Sequence, residues 1–129
     1  MIWQDGALSA AGVIGSGVAV VHGILLQRRM VEPIKPLLEL GKPMSGSIRR
    51  LVPVLLHFST FNWFLSGIAL ISAAIWLGPE AKLAIGLLVG SSYLFGAIGN
   101  FWGTRGRHPG WVLYGVALAL VILGLGFKR

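Results

Sequence analysis

The chain of 129 residues predicts an all-α, integral membrane four-helix bundle, and three observations carry that expectation. Four apolar runs, at about 7–27, 51–77, 83–102 and 111–127, approach or exceed the roughly 20 residues that cross a ~30 Å hydrocarbon core at ~1.5 Å per residue. Hydrophobic residues make up 55% of the chain and charged ones 12%, and no charge falls inside a run. The basic residues gather in alternate connections, which is the signature of a chain that crosses a bilayer several times. The joints leave no room for a second domain, so residues 1–129 read as one transmembrane domain.

The first run follows a segment that carries only Asp5, and it ends before Arg28 and Arg29. A secretory signal has its basic residues ahead of the apolar stretch, so this run reads as a retained anchor. Ala11, Gly15, Ala19 and Gly23 repeat every fourth residue and form a ridge without bulk, along which another helix can approach closely. Gly86 with Gly90 and Gly115 with Ala119 make shorter pairs of the same kind.

The first connection is the long one. Met30, Ile34, Leu37, Leu38 and Leu40 recur among Glu32, Lys35, Glu39 and Lys42, which predicts an interfacial segment at about 30–42. Pro33 and Pro36 restrict it to a brief turn or helix beginning near Pro36, and Gly41 before Lys42 and Pro43 supplies a stop; the alternative is a simple solvated loop tethered by snorkelling arginines.

Arg28, Arg29, Lys35, Lys42, Arg49 and Arg50 lie in that first connection and Arg105 and Arg107 in the third, whereas Lys82, Lys128 and Arg129 fall on the other side. Cytoplasmic loops collect Lys and Arg, so both termini are expected outside the cytoplasm. Arg28, Arg29, Arg49, Arg50, Arg105 and Arg107 are then placed to meet anionic lipid headgroups. The net charge of +7 is thereby a topology and lipid signal, and nucleic acid is not an expected partner because no aromatic interleaving accompanies the charges. Trp3 and Trp76 fall at one predicted boundary and Trp102 and Trp111 at the other, as interfacial anchors do, while Trp63 lies mid-span.

Polar residues within spans are costly and point to function. His22 precedes Arg28 by six residues and His57 follows Arg50 by seven, which puts both roughly 10 Å inside the same boundary. His22 faces the small-residue ridge, and His57 shares a face with Thr60, Phe61 and Phe64. His108 stands in the joint before the fourth run, and Asn100 near the end of the third run can complete a polar cluster with His22 and His57. His22, His57, Asn100 and His108 are therefore the candidate ligand-binding residues. Imidazoles so placed can hold a metal ion, a haem, a pigment or a quinone, with His22 and His57 as the metal candidates. The bland alternative has the histidines bonding neighbouring helices and His108 meeting headgroup phosphate beside Arg105 and Arg107.

The absence of cysteine excludes disulfide and thiol chemistry. No span holds the carboxylate a small multidrug exporter needs, and no nucleophile elbow, phosphate loop or carboxylate pair is present, so no catalytic residues are assigned.

Three places carry a resemblance: His22 ahead of Arg28 and Arg29 with Pro33 beyond; Ile48-Arg49-Arg50 followed by Leu56-His57-Phe58-Ser59 and Trp63; and Arg105-Gly106-Arg107-His108 followed by Trp111. In this the chain resembles a group of small, four-span bacterial inner-membrane proteins, in which a tryptophan often stands where this chain has Leu56. The resemblance implies a bacterial inner membrane and draws attention to the histidines, with no activity attached.

The first functional expectation is a non-catalytic accessory or assembly subunit of a larger membrane complex, partnered by lipids and by other subunits or copies of itself. The alternative is a histidine-based bundle binding a metal, haem, pigment or quinone. A third reading, an oligomeric small-solute transporter, would draw on Ser16, Asn62, Ser66, Ser91, Ser92 and Tyr93.

Overall fold

The computed structural model describes residues 2–40 and 44–126, and its first helix, α1, takes up Ile2–Leu26. A wide turn of π geometry, Gln27–Val31, carries the chain without a break into α2, Glu32–Leu40. The long helices α3 (Gly46–Trp76) and α4 (Pro79–Thr104) follow, then α5 (Gly110–Leu125). The expected stop at Gly41, Lys42 and Pro43, and the end of the fourth run at Phe127 with Lys128 and Arg129, lie outside the described residues.

Helix starts and stops follow local chemistry. Ser45 caps α3, its hydroxyl accepting from the Ile48 amide at 3.4 Å. Pro79 occupies the first turn of α4, where its missing N–H costs nothing. At the other end of α4, Arg105 (φ 51°) and Gly106 (φ 73°) turn left-handed, and the Gly106 amide reaches the Phe101 carbonyl at 2.8 Å.

The first connection differs from the sequence expectation. The helix starts at Glu32 rather than near Pro36, with both prolines inside or at its first turns. The π turn is the physical reason. The Glu32 amide bonds the Gln27 carbonyl five residues back, so the extra residue opens the backbone where Pro33 would otherwise crowd it.

α1 and α3 run antiparallel, with Gly12 against Gly67, Ser16 bonded to the Phe64 carbonyl, Gly23 against Thr60 and Gln27 against His57. α5 is likewise antiparallel to α1, with Gly124 on Leu8, and α4 to α5, with Gly86 on Leu125 and Gly96 on Tyr114. α1 neighbours α3 and α5, and α4 neighbours the same two, so α1 and α4 sit on the diagonal of a square. An ion pair between Asp5 and Lys82 joins that diagonal at one end. Arg28, Arg29, Arg49, Arg50, Arg105 and Arg107 all belong to the opposite, basic end.

The interior holds Leu8, Leu70, Val89, Tyr93, Tyr114 and Val121 among alanines, while large apolar side chains cover the outside: Leu88 is 74% and Phe95 76% exposed. A surface of this kind is matched to lipid rather than water. α1 continued into α2, α3 and α4 are each long and apolar enough to cross a membrane. α5 is shorter, and its 16 residues rise only ~24 Å. The chain is thus a multi-pass, all-α membrane bundle.

Small residues set the helix spacing. Ala11, Gly15 and Ala19 of the expected ridge are buried, and a Cβ at Gly15 would overlap the Tyr93 hydroxyl. A contact outside the ridge is just as close, because a Cβ at Gly67 would meet the Gly12 carbonyl and Ser16. Gly115, by contrast, faces open space. Gly67→Ala is therefore expected to cost about 1–3 kcal/mol through overpacking, whereas Gly115→Ala should stay within about 0.5 kcal/mol. Thermal unfolding in detergent micelles compares the two, and equal melting temperatures would refute the backbone contact.

Candidate functional site

α1 and α5 part over the basic half of the bundle and leave a groove of about 470 Å³ between them. Its walls are apolar: Val13, Ile14, Val18, Val21 and Leu25 from α1, Leu113 and Tyr114 from α5. Val13, Gly17, Val21 and Leu113 are exposed, so the groove opens sideways toward the membrane. Gly17 keeps it open, since nothing lies within 4 Å of where its Cβ would stand. From Val13 to Leu25 the groove follows α1 for ~18 Å.

Besides Tyr114, the polar residues that line the groove are His22, Asn100 and His108. Each comes from a different part of the fold. His22 is carried in by the α1 ridge and stacks edge-on against Trp63 of α3, with ring centroids 4.7 Å apart. Asn100 stands one turn before the end of α4, and its amide nitrogen donates to the Gly96 carbonyl at 2.8 Å, which leaves the amide oxygen as the group to offer. His108 is set by the turn between α4 and α5. Thr104 donates to the Asn100 carbonyl and accepts from the His108 amide, and the Trp111 indole donates to the Gly106 carbonyl.

The ring of His108 has an assigned orientation. Its Nδ1 accepts from the Gly110 amide at 3.0 Å, so the neutral ring carries its proton on Nε2. The groove end thus has a donor in His108 Nε2–H, an acceptor in the Asn100 oxygen and both functions in His22, which has no hydrogen bond among the described residues. Such a set can hold a carbonyl or a hydroxyl. Gly110, buried beneath His108 and Asn100, admits no Cβ without displacing the His108 ring, which ties that ring's position to a bare backbone.

His57 stands apart from this group. Its Nε2 meets the Gln27 side-chain oxygen at 2.8 Å, binding α3 to the π turn, and it borders shallow outer grooves with Phe58, Phe61 and Phe64. The depths of His22 and His57, counted from their arginines, agree in the sequence but differ in the fold. Helix α3 begins before Arg49 and pairs His57 with Gln27, five residues or ~7.5 Å along α1 from His22. Asn100 accordingly shares the groove with His22 and His108 rather than with His57. Among the described residues no group of three His, Asp or Glu side chains is placed to hold a metal ion.

Sequence reasoning missed the companions of His22. Trp63 lies between His22 and Tyr114, 4.9 Å from the latter, and Tyr114 lies 5.5 Å from Tyr93, so four rings from four helices form one chain through the core. The mid-span position of Trp63 was the visible signal; Tyr93 stood out only as a polar residue for a transport path, and Tyr114 not at all. Both tyrosine hydroxyls are buried without a partner among the described residues. Of the residues named for a polar path, Asn62 and Ser91 face outward and bond carbonyls of their own helices, while Ser16 ties α1 to α3. Because the Tyr93 hydroxyl forgoes hydrogen bonding, Tyr93→Phe is expected to leave stability unchanged or raise it by up to ~1 kcal/mol. A loss greater than that in thermal unfolding would reveal a bonded hydroxyl.

No family model matches the chain, and no curated protein or solved structure matches it.

Proposed function

We propose that this chain is a multi-pass protein of the bacterial inner membrane that binds an amphipathic, carbonyl-bearing molecule of quinone-like chemistry between α1 and α5. It acts as a non-catalytic component of a membrane complex rather than as an enzyme. One observation carries the reading: an apolar groove of about 470 Å³, open to the side, places His22, Asn100 and His108 together. Ligand sites combine mostly apolar walls with a few convergent polar groups, and the volume suits a small lipophile. The apolar body would enter from lipid along Val13, Gly17 and Val21, and its carbonyl would accept from His108 Nε2–H or His22.

The clustering of six arginines at one end supports a cytoplasmic location for that end, with both termini on the opposite side. The groove's polar residues then lie in the cytoplasmic half of the bilayer. A haem held between His22 and His57 fits this arrangement poorly, because His57 is engaged by Gln27 and does not border the groove.

The assembly role draws on a separate feature. Phe58 and Phe61 on α3 are 61% and 58% exposed and flank shallow grooves, a face on which another membrane subunit could pack.

Native mass spectrometry from a mild detergent tests both parts. Wild type is expected to carry an added lipophile mass. Gly17→Phe, which fills open space, should lose it at unchanged melting temperature, His22→Ala should lose it or hold it weakly, and His57→Ala should keep it. A bare wild-type chain, under extraction that preserves a control ligand, would overturn the groove reading; partner chains in the same spectrum would support the assembly role alone.

A further inference from the structure

A second pocket, of about 330 Å³, lies at the basic end between α2 and α3, remote in character from the apolar groove. Lys35 and Glu39 reach it from α2, Arg49 and Arg50 from α3, with Leu38 and Gly46 completing the wall. Three cations and one carboxylate give the lining a formal charge of +2. Among the described residues the ion pair formed is Asp5 with Lys82, so Glu39, though it lines the pocket, makes no direct ion pair with these three cations.

Depth adds a second argument. The 31 residues of α3 rise ~46 Å, some ~16 Å more than a hydrocarbon core. The uncharged part of the helix begins at Leu51, so the five residues before it supply ~7.5 Å of that surplus, and Arg49 and Arg50 stand at the charged end of the span. α2 lies against this projecting end, held there by the continuous π turn and by the His57–Gln27 bond. Two guanidiniums and an ammonium that converge on a concave surface, beside the positive end of a helix, suit a tetrahedral oxyanion.

We propose that the pocket formed by Lys35, Arg49 and Arg50 binds a phosphate group, carried by an anionic lipid headgroup or free in solution. The two guanidiniums grip the phosphate oxygens and Lys35 adds a point charge from the facing helix, while Glu39 opposes the anion and limits its affinity. Arg28, Arg29, Arg105 and Arg107 do not border the pocket and contribute only to the general field of this end.

The test is a titration of the full chain in a non-ionic detergent with dioctanoyl phosphatidylglycerol, followed by thermophoresis. Saturable binding is expected. Arg49→Gln with Arg50→Gln should weaken it by at least about tenfold, the order expected for losing two charge-assisted contacts. Arg105→Gln with Arg107→Gln, which removes the same charge elsewhere, should change it less than about twofold, as screened surface charges do. Glu39→Gln should tighten binding, a gain that misfolding cannot imitate. Inorganic phosphate added as competitor separates the sources: no displacement at millimolar concentration identifies a lipid headgroup, and displacement identifies free phosphate. Equal losses in the two double variants, or no loss in either, would overturn the site in favour of diffuse charge.

Discussion

The bundle depends on a chain of four rings that runs from the groove into the core. His22, Trp63, Tyr114 and Tyr93 come one from each of α1, α3, α5 and α4, and each touches the next at 4.7–5.5 Å. In lipid the hydrophobic effect does not drive helices together, so packing of this kind, worth about 0.5–1.5 kcal/mol per aromatic pair, has to serve. Glycine makes it possible. Gly15 accommodates the Tyr93 hydroxyl, and at Gly96 a Cβ would stand 3.1 Å from Tyr114 and 3.5 Å from Trp63. The small residues and the large rings are thus two halves of one device, and the neighbouring Gly12–Gly67 contact extends it along α1 and α3.

The same arrangement explains why the groove lies where it does. Tyr114 leans into the core toward Trp63, and one turn before it in α5 Gly110 packs under His108 and Asn100, so no side chain from that position fills the space beside α1. Toward the Asp5 end, Leu8 closes on Gly124 and the two helices meet. They separate only in the basic half, where the turn from α4 delivers His108 and Asn100 to the gap. A polar set that would be costly on a lipid-facing surface is thereby gathered at the edge of a cavity, near the headgroup boundary.

Much of this was legible in the sequence, and the parts that were not share a cause. Run length and charge distribution yield the helices, and periodicity marks the ridge with His22 upon it. What periodicity cannot supply is register between helices. Counting inward from Arg28 and Arg50 gives His22 and His57 equal depths, because it assumes that both arginine pairs stand at the same level. Helix α3 instead projects beyond Arg49, and the hydrogen bond to Gln27 sets its level. The brief turn or helix expected to begin near Pro36 starts four residues earlier, at Glu32, for a related reason, since a proline reads locally as a break unless the turn before it is known to be widened. Tyr93 and Tyr114 gave no sign of their burial because tyrosine is as common at interfaces as in cores.

The two candidate sites and the charge asymmetry follow from a single feature of connectivity. The long first connection and the Arg105–Pro109 turn join helices at the same end, so every arginine at a helix junction gathers there. The connection at the other end, Leu77 and Gly78, is too short to hold more than a turn, and Asp5 with Lys82 closes that side by an ion pair. A chain that must keep its charges in water can place both polar histidines and a basic pocket only where loop residues and helix overhang supply the room. The basic end has that room, and α1, continuous through the π turn into α2, borders the apolar groove, while α2 carries one wall of the basic pocket beyond.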